Sequence, residues 1–250
     1  MVDLAAYLSR IGYQGSTDPT TANLRALQRA HLFLVPFENL DISLGRKITI
    51  QEESILNKVI ALRRGGFCYE LNGAFAALLR ALGFEVTLLS ARVARADGGE
   101  GPEFDHLTLR VDLEEPWLAD VGFGDSFLEP LLLQAEREQE DPGGLFRLVQ
   151  RGNRWHLEKA EPGSDWKPQY SFTMQPQRLE DFAGMCHYHQ TSPESSFTQK
   201  RVCSRATADG RITLSEMKLI VTTEGRREER LLISEEEWIA ALTQHFGIHL

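Results

Sequence analysis

A cysteine, a histidine and an aspartate stand in that order at Cys68, His106 and Asp120, 53 residues from first to last. Those three residue types can together run acyl transfer. A thiol attacks as its thiolate, so it needs a base to take its proton, and the base needs a third group to fix its tautomer and orientation. Cys68 follows Arg64-Gly65-Gly66-Phe67 and opens an apolar run of helical period. The two glycines permit a sharp turn and close approach. Unpaired backbone N–H groups at a helix start favour negative charge, which predicts a Cys68 thiol below its reference value of about 8.5. The plain alternative, a small packing residue at a helix start, is the commoner fate of a cysteine.

His106 lies in the segment 104–112, whose alternation places Leu107, Leu109, Val111 and Leu113 on one face and His106 on the polar one. Asp120 follows in 117–124, among apolar neighbours. If the loop between these strands holds three residues around Glu114, Asp120 falls opposite His106 or diagonal to it on the same face, at Cβ separations of roughly 5–8 Å. A two-residue loop would put the two on opposite faces. Alone, His106 reads as a polar surface residue and Asp120 as a strand-end carboxylate; with Cys68 they read as a triad. Papain-type proteases keep their histidine far downstream of the cysteine, so this compact order is that of the transglutaminase-like arrangement. It names acyl transfer or amide hydrolysis and leaves the substrate open.

The elements that must hold these residues are legible in the periodicity. Apolar residues recur every three or four positions at Leu4 to Ile11, Leu24 to Leu34, Glu52 to Arg63 and Leu71 to Leu82, predicting four helices broken by Gly12, Pro36, Gly65-Gly66 and Gly83. From Phe84 the period becomes two, with strands expected at 84–93, 104–113 and 117–123 and a hairpin turning on Gly152-Asn153. The polar stretch 134–144 reads as a solvated excursion. After a short helix near 179–189, strands separated by Asp209-Gly210 and Glu224-Gly225 lead to a last helix. Ser234 is its expected N-cap, Glu237 the capping-box partner, Ile233 and Trp238 a hydrophobic staple, and Gly247 its stop. The fold class is α+β in three parts: helices over 1–83 carrying the nucleophile, an antiparallel sheet or small barrel over 84–190 carrying the histidine and aspartate, and strands with a helix over 191–250.

Composition bounds the rest. The 250 residues are 42% apolar and 25% charged, enough for a real core and wrong for a disordered chain. No apolar run approaches the ~18 residues of a spanning helix and no secretory leader is visible, so no membrane partner and a cytoplasmic location are expected. A net charge of −9 argues against nucleic acid. Three widely spaced cysteines, Cys68, Cys186 and Cys203, fit a reducing compartment. The cluster Cys186, His187, His189 offers only one helical pair on a shared face, so no metal site is expected.

The stretches Arg-Gly-Gly-Phe-Cys-Tyr-Glu-Leu-Asn at 64–72, Asp-His at 105–106 and Asp-Val-Gly-Phe-Gly at 120–124 resemble the arylamine N-acetyltransferases, as do Pro36-Phe37-Glu38-Asn39-Leu40 and the segment 186–197. The resemblance implies an N-terminal helical bundle over 1–83, a central antiparallel β-barrel over 84–190 and a C-terminal α/β lid over 191–250, with Cys68, His106 and Asp120 as the catalytic triad. It implies acetyl-CoA as donor co-substrate, an aromatic amine or hydrazine as acceptor, and a ping-pong cycle through an acetyl thioester on Cys68. Phe37, Phe123 and Phe197 match positions lining the acceptor pocket, and the Gly122-Phe123-Gly124 loop matches one beside the coenzyme, where Gly122 and Gly124 would offer backbone N–H groups. Arg64 is expected to pair with a carboxylate such as Glu38. A thiol-dependent amide hydrolase or transglutaminase, or a synthase closing an amide within a polyketide, would use the same triad.

Overall fold

The computed structural model describes residues 2–161 and 163–250. Its first part is helical where the apolar period predicts. α1 (Leu4–Arg10) is capped by Asp3, whose carboxylate takes the Ala6 N–H at 3.0 Å. α2 (Thr21–Leu34) is capped by Thr20, and a two-residue strand β1 (Phe37–Glu38) and one-turn α3 (Leu40–Ser43) follow. The third expected helix is shorter than its pattern: α4 (Glu52–Leu56) widens into a π-helical turn over Asn57–Ala61 that buries Lys58. α5 (Cys68–Ala81) is the central element. Twelve of its residues are buried, and it ends at Gly83 in the left-handed region, φ +88°.

Eight antiparallel strands then curl around a second core: β2 (Glu85–Val93), β3 (His106–Asp112), β4 (Pro116–Ala119), β5 (Leu131–Leu132), β6 (Glu138–Asp141), β7 (Gly144–Arg151), β8 (Arg154–Ala160) and β9 (Lys167–Gln177). Their order is β5-β4-β3-β2-β9-β8-β7-β6. Gly152-Asn153 makes the expected two-residue turn, with Arg151 paired to Arg154. The 134–144 stretch is not simply a solvated excursion, because it carries β6. Glu138 and Glu140 point to solvent while Gln139 and Asp141 turn inward, so charge hid the strand. The Gln139 amide spans the gap between the two edge strands, accepting from Leu132 N–H at 2.8 Å and donating to its carbonyl at 3.0 Å. A side chain thus continues the barrel where backbone pairing stops.

β3 is covered on both faces. Leu107, Leu109 and Val111 pack with Phe75 and Leu78 of α5, while Leu89, Leu118, Phe146 and Tyr170 fill the barrel on the other side. The face of His106 and Thr108, read as polar from the alternation, is therefore interior, and both side chains are buried.

After β9 a 3₁₀ turn at Leu179–Phe182 leads into α6 (Ala183–Thr191) and the single turn α7 (Ser196–Gln199). β10 (Val202–Thr207), β11 (Gly210–Ser215), β12 (Lys218–Thr223) and β13 (Arg226–Leu231) form a second antiparallel sheet, with β1 from the first part pairing beside β10. α8 (Glu235–Phe246) packs against it, capped by Ser234 and stopped at Gly247, φ +66°. The expected staple does not form: Ile233 is 83% exposed, and Trp238 is covered instead by the Arg201 guanidinium, 3.9 Å from the ring centroid. Among the described residues no helix is long and apolar enough to cross a membrane.

Candidate active site

The loop that presents Cys68 is held by buried charge. Lys58 Nζ lies 2.7 Å from Asp41 Oδ2 and 2.8 Å from Glu70 Oε1, and Arg64 Nη2 lies 2.8 Å from Glu38 Oε1 and 3.1 Å from Asp41 Oδ1. The expected Arg64–Glu38 pair is thus one strut of a five-member network. Glu70 reaches back to accept the Phe67 N–H at 3.1 Å, closing the first turn of α5. Burial, only partly opposed by Lys58, pushes the Glu70 carboxyl up to about 7. Gly65 admits no side chain, since a Cβ there would sit 1.8 Å from the Pro36 carbonyl oxygen.

Cys68 is the first residue of α5 and is 4% exposed. Of the first-turn N–H groups, those of Glu70 and Leu71 both reach the Phe67 carbonyl at 3.0 Å. The expectation of a lowered thiol is overturned by the depth of the site: burial pushes the Cys68 thiol up, the Leu107 N–H donated to its sulfur pulls the other way, and Asp120 and Asp105 add to the rise. The charge of a thiolate has to be matched by a neighbouring cation rather than by the helix start alone.

The loop between β3 and β4 holds three residues, since Asp112 pairs with Pro116 and Leu109 with Ala119. Asp120 therefore falls diagonal to His106 on one face, and His106 Nε2 meets Asp120 Oδ2 at 2.7 Å. That contact leaves Nδ1 as the nitrogen able to take a proton. The Asp120 carboxylate accepts three further bonds, from Asn72 Nδ2 at 2.9 Å, the Gly122 N–H at 2.9 Å and the Tyr170 hydroxyl at 3.0 Å. Burial alone would raise its pKa, but His106 and these donors hold it below the ordinary carboxylate value. Burial and Asp120 hold Tyr170 far above the ordinary phenol value, so it remains a donor.

Asn72 is the joint between the helix and the strands. Its amide also donates to the Leu107 carbonyl at 2.6 Å and accepts the Val121 N–H at 2.9 Å. Its four-residue spacing from Cys68, one helical turn, was the signal available in the chain. Tyr170, 50 residues beyond Asp120 on β9, carried none, because the barrel's closure brings it there. Gln28, which accepts the Asp120 N–H at 3.2 Å, was equally silent.

Phe123 packs edge-on against His106, centroids 5.1 Å apart, and against Tyr170 at 4.9 Å. Phe37 and Phe197 meet each other at 6.1 Å, and Phe197 meets Phe67, the residue before the cysteine, at 5.9 Å. All three expected phenylalanines are half-buried around Phe67, His106 and Tyr170. The expectation that Gly122 offers its N–H to a coenzyme fails, because Asp120 already holds it. The glycine is needed for approach: a Cβ there would lie 2.7 Å from Cys68 Cα. Gly124, φ +89°, has open space around it, and its carbonyl accepts from Arg211 at 2.7 Å. Beyond this loop a cavity of about 740 Å³ is lined by Asp125, Glu140, Asp141, Glu161 and Asp209 against Lys159 and Arg211, a poor match to the phosphates of a coenzyme.

Cys186, His187 and His189 do not converge on one point. Gln190 Nε2 lies 3.2 Å from Cys186 Sγ, His187 is exposed and His189 faces Asp105. Among the described residues no group of three or more His, Cys, Asp or Glu side chains is arranged to hold a metal ion.

Comparison with known proteins agrees with this geometry. A family profile described as N-acetyltransferase matches residues 20–250. The arylamine N-acetyltransferase / N-hydroxyarylamine O-acetyltransferase of Salmonella typhimurium is 36% identical over 249 residues, covering 98% of this chain and 88% of that protein. A solved arylamine N-acetyltransferase from Salmonella typhimurium superposes with a TM-score of 0.94 at 36% identity, covering 98% of this chain and 90% of that one. The Mycobacterium marinum arylamine N-acetyltransferase in complex with CoA gives a TM-score of 0.91 at 32% identity, over 98% and 93% of the two chains. A matched profile over nearly the whole length, and relatives alike from end to end, mean that the chain belongs to the arylamine N-acetyltransferase family.

Proposed function

We propose that this protein transfers the acetyl group of acetyl-CoA to the nitrogen of an aromatic amine or hydrazine through an acetyl thioester on Cys68. The observation that supports the reading is the buried His106 Nε2–Asp120 Oδ2 contact of 2.7 Å, which leaves Nδ1 to serve as the base. CoA bound to the M. marinum relative supports the donor.

In the first half-reaction the Cys68 proton passes to His106 Nδ1 as the sulfur attacks the acetyl carbonyl of the donor. The imidazolium so formed is balanced by Asp120, and is itself the cation that a buried thiolate needs beside it. The tetrahedral oxyanion meets the Cys68 N–H. Collapse breaks the C–S bond to CoA, and the CoA sulfur takes the proton from His106, leaving as the thiol. In the second half-reaction the amine attacks the acetyl-Cys68 carbonyl and gives a proton to His106, and Cys68 leaves, recovering its own proton as the amide departs. Phe37, Phe123 and Phe197 form the apolar wall on which the acceptor's ring lies, and Gly124 with its loop borders the donor side. Three free buried thiols accord with action in the reducing cytoplasm.

Steady-state rates over a grid of acetyl-CoA and aniline concentrations test the scheme. Parallel double-reciprocal lines, with at most one equivalent of CoA released when amine is left out, are expected. Intersecting lines, or amide hydrolysis that needs no CoA, would overturn it.

A further inference from the structure

One buried polar chain beside the aromatic wall takes no part in this cycle. His189, on α6, places Nδ1 3.1 Å from Ser195 Oγ and Nε2 3.2 Å from Asp105 Oδ1. Ser195 Oγ, the N-cap of α7, accepts the Phe197 N–H at 3.3 Å, so its hydroxyl hydrogen is available to donate to Nδ1. The imidazole then carries its own hydrogen on Nε2, which lies 3.2 Å from an Asp105 carboxylate oxygen but out of line for a hydrogen bond.

The two ends of this chain are the two parts of the site that an acceptor must fit between. Asp105 immediately precedes His106, and its carbonyl and that of Phe104 accept the Tyr69 hydroxyl at 3.2 and 2.7 Å. Phe197 sits two residues beyond Ser195 and meets the His189 ring edge-on at 5.0 Å, while Tyr69 stacks on that ring at 29° with centroids 6.2 Å apart. α7 is a single turn and cannot hold itself. Asn39 fixes its backbone by donating to the Phe197 carbonyl at 3.0 Å, and the imidazole, nearer than Phe37 and Phe67, helps set the direction of the Phe197 ring.

We propose that His189 is a positioning residue of the amine half-reaction, tying the Phe197 wall to the Asp105–His106 segment so that an aromatic acceptor is registered against the base. This rests on the acetyl-transfer reading. An acceptor with a ring uses the wall, whereas hydrazine itself does not, so the loss of His189 should be selective.

The test compares wild-type protein with His189→Leu, His189→Asn, which keeps a group near the Nδ1 position, and His189→Gln, which keeps one near Nε2. Three rates are measured on each: formation of acetyl-Cys68 from acetyl-CoA, its discharge by aniline, and its discharge by hydrazine. In His189→Leu the aniline rate constant at low amine should fall about tenfold further than the other two, from loss of the Ser195 hydrogen bond and of the contact with the Asp105 carboxylate. The Asn and Gln variants should fall between. If His189→Leu does not fold, Ser195→Ala and His189→Gln carry the same comparison, with the aniline rate again falling further than the other two. Equal losses in all three rates, or no loss in the aniline rate, would overturn the inference. Wild-type protein that forms no acetyl adduct would instead overturn the acetyl-transfer reading, and the inference with it.

Discussion

Gly122→Ala is the sharpest perturbation this geometry offers, because one added methyl tests whether the strand end after Asp120 must lie against the nucleophile. The new Cβ would sit 2.7 Å from Cys68 Cα, 2.8 Å from Asn72 Nδ2 and 3.0 Å from the Cys68 carbonyl oxygen, where 3.4 Å begins ordinary contact. Two of these three neighbours are backbone, so no rotamer relieves them. Relief requires the segment and the helix start to part by about 0.7 Å, the difference between 3.4 and 2.7 Å. That movement stretches the Gly122 N–H bond to Asp120 and the Asn72 bond beside it, both 2.9 Å. Overpacking of this kind costs about 1–3 kcal/mol, which in a chain of this length lowers the melting temperature by roughly 2–4 °C per kcal/mol. Misplacement approaching 1 Å between reacting groups costs up to about a hundredfold in rate. Thermal melting and the single-turnover rate of Cys68 acetylation by acetyl-CoA read the two effects. A Gly122→Ala protein that melts and acetylates like wild type would refute the packing argument.

Three further outcomes follow from the same contacts. Asp120→Asn keeps the shape but lets the wrong His106 nitrogen carry the proton, so acetylation of Cys68 should slow by roughly 10³–10⁴ with folding retained by circular dichroism; a rate within tenfold of wild type would contradict the tautomer argument. Tyr170→Phe removes one donor to a buried carboxylate and should lower stability by about 1–3 kcal/mol in urea titrations; no change would mean the phenol is idle. Glu70 is raised by burial from 4.5 to about 7, so the folded protein binds its proton more tightly than the unfolded chain. Its contribution is full below about 4.5 and is lost as pH rises through about 7. The melting temperature of wild type relative to Glu70→Gln should therefore fall across that window, and a flat difference would refute the assignment.

The candidate residues were legible because each sits in a segment with its own local signature: Gly65-Gly66 before an apolar helix for Cys68, period-two alternation for His106, and for Asp120 a position that a three-residue loop, one of two lengths weighed, brings to His106. What alternation could not show was that the His106 face is interior, since a strand covered by helices on one side and a closed barrel on the other still alternates between polar and apolar residues. The thiol was misjudged for a related reason. The helix start is a local feature, whereas the burial that raises Cys68 is set by β3, β4 and the barrel together. Gln139 and β6 were hidden because charged residues alternate on a solvent face, and Tyr170 because its place beside Asp120 exists only after β9 has paired with β2. Ile233 had the spacing of a staple, but Arg201, distant in the chain, took its place over Trp238.

The central claim is that an acetyl group rests on Cys68 between donor and acceptor. Intact mass spectrometry of the protein mixed with acetyl-CoA alone, followed by peptide mapping, reads this directly. The account predicts one acetyl addition located at Cys68, absent from Cys68→Ala and discharged when aniline is added. An unmodified protein, or an addition that survives Cys68→Ala, would contradict it.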